Sequence, residues 1–189
     1  THPITSERIS DIENRLTEYP YKQRLDDPSF HFVKGKIKVF LQDKKSIKKQ
    51  LQSNLKNKTY VNELGERYSL AYAYLLNENF SQALEELKWF KNKKIKNPMI
   101  DQLNIQILLK KDDKDKAYKA IKNALKEYPN YRAFIYELAE YLIYKKSINE
   151  AIKFLQRYSQ IFNSDPNIYR LLAKAYSLNE KRTLQYESL

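Results

Sequence analysis

A period of 34 residues runs through the chain, and a fixed period of a few tens of residues restricts a sequence to stacked, near-identical units. Ala83, Ala117 and Ala151 stand 34 apart, as do Ala71, Ile105, Ala139 and Ala173, a set lying twelve residues ahead of the first. Tyr74, Leu108, Leu142 and Tyr176 keep the same spacing, and so do Leu87, Ile121 and Leu155, and Phe90, Ala124 and Tyr158. With only two glycines and six prolines in 189 residues, hairpin turns, dinucleotide-binding loops and glycine-rich phosphate cradles are all disfavoured. Each unit must therefore be helical. A mean hydropathy of −0.77 leaves no apolar run near the ~20 residues of a membrane-spanning helix.

The repeating residues make physical sense as a helix-turn-helix unit that resembles the tetratricopeptide repeat. Small side chains such as Ala71 and Ala83 let two antiparallel helices approach, while Tyr74 and Leu87 fill the gap to the next unit, which buries a face that one unit cannot bury alone. Pro98 and Pro166 suit the first turn of a helix, where a missing N–H is not needed, and Pro129 suits a loop. Ser147-Ile148-Asn149-Glu150 reads as a capping box. The expected fold is an all-α, right-handed tetratricopeptide solenoid with repeats over 64–97, 98–131 and 132–165. A partial repeat follows over 166–189, in which Thr183 to Leu189 would begin a second helix. Gly35, Ile47 and Leu51 precede Ala71, Ala83 and Leu87 by 36 each, which predicts a degenerate repeat over 28–57 and a repeat domain over 26–189. Residues 1–25 lie outside the phase and read as one linker helix capped by Thr5 or Ser6, with Ile9, Ile12 and Leu16 on one face and an end before Pro20.

The formal net charge of +12 suggests an anionic partner, yet only eight of the 35 basic residues are arginine. Readers of bases and phosphates favour the bidentate arginine fork, and a lysine excess spread along the chain weighs against nucleic acid. Lys91, Lys93, Lys94 and Lys96 form a run ahead of Pro98 that reads as a solubilising loop. Without cysteine there is no disulfide or thiolate site, and the two histidines, His2 and His31, form no H-E-x-x-H pair. His31 reads as a helix residue, and Asp112, Asp113 and Asp115 as a solvated turn. No catalytic residue and no cofactor site is expected in this chain.

First-helix positions that avoid the core instead line the concave groove. Counted from the repeat starts they are Tyr68, Tyr72 and Leu75, then Met99, Gln102, Gln106 and Leu109, then Tyr136, Glu140 and Ile143, then Arg170 and Lys174. Tyrosine, amphipathic and with few rotors, suits recognition of extended chains. The unfinished last repeat would leave an apolar face for self-association.

The opening Thr1-His2-Pro3-Ile4-Thr5-Ser6-Glu7-Arg8-Ile9, with Asn14-Arg15 after it, resembles the stretch that follows the catalytic domain in bacterial zinc metalloproteases carrying tetratricopeptide repeats. Phe30 to Lys38 is similar to their first post-catalytic helix, and Ser164-Asp165 through Tyr169-Arg170-Leu171-Leu172-Ala173-Lys174-Ala175 to a later repeat helix. The resemblance implies a zinc-dependent endopeptidase of the Gram-negative periplasm, engaged in outer-membrane protein quality control, of which this chain is the C-terminal docking domain. Its partners would be outer-membrane β-barrel proteins or their assembly machinery. The H-E-x-x-H helix and the downstream glutamate ligand are absent from this sequence, so zinc belongs to the parent enzyme, where His2 would approach the metal. A stand-alone adaptor scaffold without a protease is the alternative.

Overall fold

The computed structural model describes residues 9–10, 13–15 and 27–187, with side chains as far as residue 180. From residue 27 onward the described chain is a succession of antiparallel helices: α1 (Pro28–Leu41), α2 (Lys44–Asn57), α3 (Glu63–Leu76), α4 (Phe80–Asn92), α5 (Pro98–Lys110), α6 (Lys114–Glu127), α7 (Arg132–Tyr144), α8 (Ile148–Ile161) and α9 (Pro166–Glu187). Residues 9–10 and 13–15 are helical, with Ile9 half exposed, whereas Ile12, Leu16 and His2 lie outside the described residues. There is no strand among the described residues, and no described helix is long and apolar enough to cross a membrane.

Sequence chemistry places the helix starts. Asp27, Asp43, Asn62 and Asn97 precede α1, α2, α3 and α5, and each accepts a hydrogen bond from an N–H of the first turn. Buried Asn97 also donates through Nδ2 to Ser29 Oγ at 2.8 Å, tying the start of α5 to α1. Pro28, Pro98 and Pro166 each open a helix. The starts of α4, α6 and α8 differ. Asn79, Asp113 and Ser147 stand at their N-caps, but none makes a side-chain cap bond, so the expected Ser147 capping box does not form. Backbone ψ angles of 61°, 63° and 57° at these residues, in place of an extended N-cap, turn the side chains away from the free amides.

The same turns hold Glu78, Asp112 and Lys146 in the left-handed region, at φ 58°, 59° and 60°. The next residue's N–H closes back onto Tyr74, Leu108 or Leu142 at 2.9 Å, the bond of a Schellman ending. These left-handed residues are themselves 34 apart, so the period is written in backbone conformation as well as in side chains.

The repeated small residues are the closest packing points. Ala71, Ala83, Ile105, Ala117, Ala139 and Ala151 are fully buried. Ala173 occupies the same register position and is exposed: α9 continues as one 22-residue helix, and among the described residues no helix folds back on it. The second helix expected to begin near Thr183 is thus not formed. Glu180 stands where Lys146 turns the preceding repeat, and the sequence from Leu178 through Leu184 contains good helix formers and no breaker.

Both glycines of the chain sit at a single crossing, where α1 lies along α3. A Cβ on Gly35 would fall 2.0 Å from Ser69 Oγ and 3.2 Å from the Gly65 carbonyl oxygen; one on Gly65 would fall 2.9 Å from His31 Cβ. Ser69 fills the remaining space and donates to Gly65 O at 2.6 Å. Close approach lets Phe32 stack on Tyr68, with ring centres 4.6 Å apart, and meet Phe90 edge-on. The core falls into two clusters. One joins α1 to α5, the other joins α5 to α9, and α5 serves both by sending Leu103 and Ile107 to one and Ile105 to the other.

Candidate functional site

The inner faces of α3 and α5 form the concave surface at which a ligand has room. A cavity of about 580 Å3 opens there between Tyr72, Leu75 and Leu76 of α3 and Gln106, Leu109 and Lys110 of α5, with Lys44 and Glu78 at its edge. Four of the residues placed on the groove by sequence, Tyr72, Leu75, Gln106 and Leu109, are thereby brought together. Tyr72 is half-buried, burial raises its hydroxyl pKa, and Lys36 of α1 lies 5.3 Å from its ring centre. Leu75 is buried and forms the base of this cavity, while the partly exposed Tyr72, Leu76, Gln106 and Leu109 offer apolar surface with a few hydrogen-bonding groups, the mixture of a polypeptide-binding surface.

Other groove positions are absorbed by the fold. Tyr68 is 2% exposed, and its hydroxyl is driven well above the phenol range by burial, with Tyr131 and Tyr72 adding to the effect. It faces Phe32 because α1 lies so close, and the groove does not present it. Met99 and Ile143 are likewise buried. Gln102 accepts a long hydrogen bond from Tyr131 at 3.4 Å. Tyr136 donates to Asp165 Oδ2 at 2.5 Å. Buried Asp165 also caps α9 through the N–H groups of Asn167 and Ile168, and Arg132 Nε lies 3.3 Å away. Burial alone would raise the Asp165 pKa, but the hydrogen bonds from Tyr136 and the two amides, with Arg132, hold it below the usual value. Tyr136 thus serves as a lock between α7 and α9. Exposed Glu140 pairs with exposed Arg170 at 3.7 Å, and Lys174 is exposed on α9.

One residue on the same side was not singled out by sequence. Glu137 has a buried Oε2 without a hydrogen-bond partner among the described residues. Its carboxyl is pushed up to about 8, by burial first and by Glu140 second, with Lys36 acting against the shift. The repeat register carried the signal, since Ser69, Leu103 and Leu171 stand at the equivalent positions and are all buried. No group of three or more His, Cys, Asp or Glu able to hold a metal ion occurs among the described residues. His31 belongs to α1, its ring edge-on to Phe30 at 5.4 Å.

Comparison with known proteins agrees with this architecture. Residues 108–175 match the tetratricopeptide repeat family. Over 176 residues, 93% of this chain, the sequence is 24% identical to the β-barrel assembly-enhancing protease of Yersinia pestis. The chain spans 36% of that protein's length. The described chain is an all-α helical solenoid consistent with tetratricopeptide architecture, and its sequence is consistent with a tetratricopeptide domain of such a protease.

Proposed function

We propose that this chain is the polypeptide-docking domain of a periplasmic zinc-dependent endopeptidase that takes part in outer-membrane protein quality control. The observation that carries the docking role is the cavity between α3 and α5, where Tyr72, Leu75, Gln106 and Leu109 converge on the concave surface. The likeness to the β-barrel assembly-enhancing protease supports the assignment to a protease that serves β-barrel assembly, and the periplasm is the compartment this reading implies. In this role the chain cleaves nothing. It holds an unfolded segment of an outer-membrane β-barrel protein, or a subunit of the assembly machinery, in an extended conformation along the groove, while hydrolysis takes place elsewhere in the parent enzyme.

Binding through tyrosine and aliphatic side chains depends weakly on salt, whereas binding of nucleic acid falls steeply with it. The test is a titration with a labelled 20-residue peptide copied from a transmembrane strand of an outer-membrane barrel. Saturable binding that persists from 50 to 200 mM salt, and drops roughly 10-fold when Tyr72 and Leu109 become alanine, is the expected result. Absence of binding, or a loss of several orders of magnitude over that salt range, would refute it. The protease assignment is tested separately by the reading frame upstream of Thr1. Codons for an H-E-x-x-H helix and a signal peptide support it, while a start codon directly before Thr1 would leave a free-standing adaptor.

A further inference from the structure

A second opening lies away from the concave groove. Asp101 and Asn104 of α5, with Ala120, Asn123, Ala124 and Glu127 of α6, surround a hollow of about 250 Å3. Every one of these residues stands 34 after a residue of the preceding repeat, respectively Arg67, Leu70, Glu86, Trp89, Phe90 and Lys93. In that repeat the space is filled. The Arg67 guanidinium lies 4.3 Å from the Trp89 ring centre, its Nε donates to Glu63 at 2.9 Å and its Nη1 to Glu86 at 3.0 Å, while Leu70 and Phe90 are buried beside it. One repeat later the same positions again carry bulk, in Ile135, Leu138, Phe154 and Tyr158.

In the middle repeat, asparagine replaces leucine and tryptophan, alanine replaces phenylalanine, and an acid stands where the arginine was. What remains is a pocket of carboxylate and carboxamide acceptors with two methyl groups, and none of its lining residues is basic. Half-buried Asp101 is raised in pKa, by burial first and by Glu127 second, and Lys96 opposes this while donating to Glu127 at 2.7 Å. The hollow opens past Asp101, Asn104 and Glu127 into a slot of about 880 Å3 with an apolar floor of Leu84, Leu87, Ile95 and Ile100. Lys88, Lys91, Lys94 and Lys96 also line the slot, and Lys96 reaches its Glu127 end, which leaves Asp101, Asn104 and Asn123 as the acceptors without a lysine donor among the described hydrogen bonds.

We propose that this hollow receives an arginine side chain from an extended polypeptide, and that an apolar neighbour of that arginine lies along the slot floor. The incoming guanidinium takes the place that Arg67 occupies one repeat earlier, donating to the Asp101 carboxylate and the Asn104 and Asn123 carboxamide oxygens. A planar fork satisfies several acceptors at once, which a lysine ammonium does less well. The lysines of the slot then face the carbonyl and carboxylate groups of the same segment. This site is independent of the concave groove.

The test uses the whole chain and a labelled, end-blocked peptide Gly-Leu-Arg-Leu-Gly, set against the same peptide with neutral citrulline for arginine. The arginine peptide is expected to bind saturably and the citrulline peptide at least about 10-fold more weakly, the scale of charge-assisted hydrogen bonds. Ala124→Phe refills the hollow with the residue found at Phe90 and abolishes the preference, whereas Tyr72→Ala in the groove leaves it unchanged. Asp101→Asn supplies the same readout if the larger side chain lowers the melting temperature. Equal affinity for the two peptides, no saturable binding, unaltered preference in both hollow variants, or loss on Tyr72→Ala would each overturn the proposal.

Discussion

Gly35→Ala asks whether α1 and α3 cross as closely as the structure shows. On an open helix surface this change stabilises by about 1 kcal/mol, because alanine is the better helix former. At this crossing the new methyl group lands 2.0 Å from Ser69 Oγ, a separation no pair of atoms tolerates. Ser69 must rotate and give up its 2.6 Å bond to Gly65 O, a loss of about 1 kcal/mol. Contacts of 3.2 Å to Gly65 O and 3.3 Å to Ser69 Cβ persist even then, so the helices must part by a few tenths of an ångström. Overpacking of this kind costs about 1–3 kcal/mol. The sum is a net loss of about 1–3 kcal/mol. Ser69→Ala alone loses about 1 kcal/mol with its hydrogen bond. Gly35→Ala combined with Ser69→Ala removes the worst contact, and the pair is expected to be more stable than the sum of the single changes by at least about 1 kcal/mol. Urea unfolding followed by circular dichroism at 222 nm measures all four proteins. A Gly35→Ala protein more stable than the parent, or strict additivity, would refute the close crossing.

The other predictions concern charge, turns and the last helix. Glu137 binds a proton more tightly in the folded chain, about 8, than in the unfolded one, near 4.5. Its contribution is therefore fully present below pH ~4.5, declines as pH rises by at most ~1.4 kcal/mol per unit, and is gone above the folded value. Glu137→Gln should flatten the fall in melting temperature between pH 5 and 8.5, and Glu137→Leu, which copies Leu103 and Leu171, should raise stability most at the alkaline end; an unchanged pH profile in both would be the contrary result. Glu78→Gly relieves a left-handed backbone without touching the core and should stabilise by about 0.5–1 kcal/mol in the same urea assay, whereas a loss would contradict the turn geometry. Asp165→Ala removes the cap of α9 and leaves Tyr136 unpaired, for an expected cost of about 2–4 kcal/mol, against about 1 kcal/mol for Tyr136→Phe; equal effects would show that Asp165 acts through Tyr136 alone and that its cap of α9 adds nothing.

The repeat was legible because small and large side chains recur at fixed spacing, and packing between neighbouring helices allows few exchanges at those points. Gly35 was readable as a point of close approach, but Gly65 was not. It meets α1 at a position with no recurring residue type, and only the three-dimensional crossing reveals it. Tyr68 looked like a groove residue since its register position faces the concave side in an ideal repeat. The nearness of α1 brings Phe32 over it, and burial follows from that one helix pair. The left-handed turns have no signature in the sequence because Glu78, Asp112 and Lys146 share a conformation and no chemistry. Ser147 illustrates the limit of a capping motif, for it stands at the right place with a backbone that points its hydroxyl elsewhere. The hollow beside Asp101 was present in the period all along, as an asparagine among the leucines of Leu70, Asn104, Leu138 and Leu172. Its depth depended on Ala124 falling opposite, which requires knowing how α5 and α6 face each other.

Hydrogen–deuterium exchange of this chain, with and without a urea-unfolded outer-membrane β-barrel protein diluted into the sample, tests the docking role most directly. Polypeptide binding in the concave groove predicts added protection over residues 68–76 of α3 and 102–110 of α5, whether or not the hollow between α5 and α6 is occupied at the same time. Protection confined to α4 and α6, or none at saturating barrel protein, would contradict a groove that holds unfolded chains.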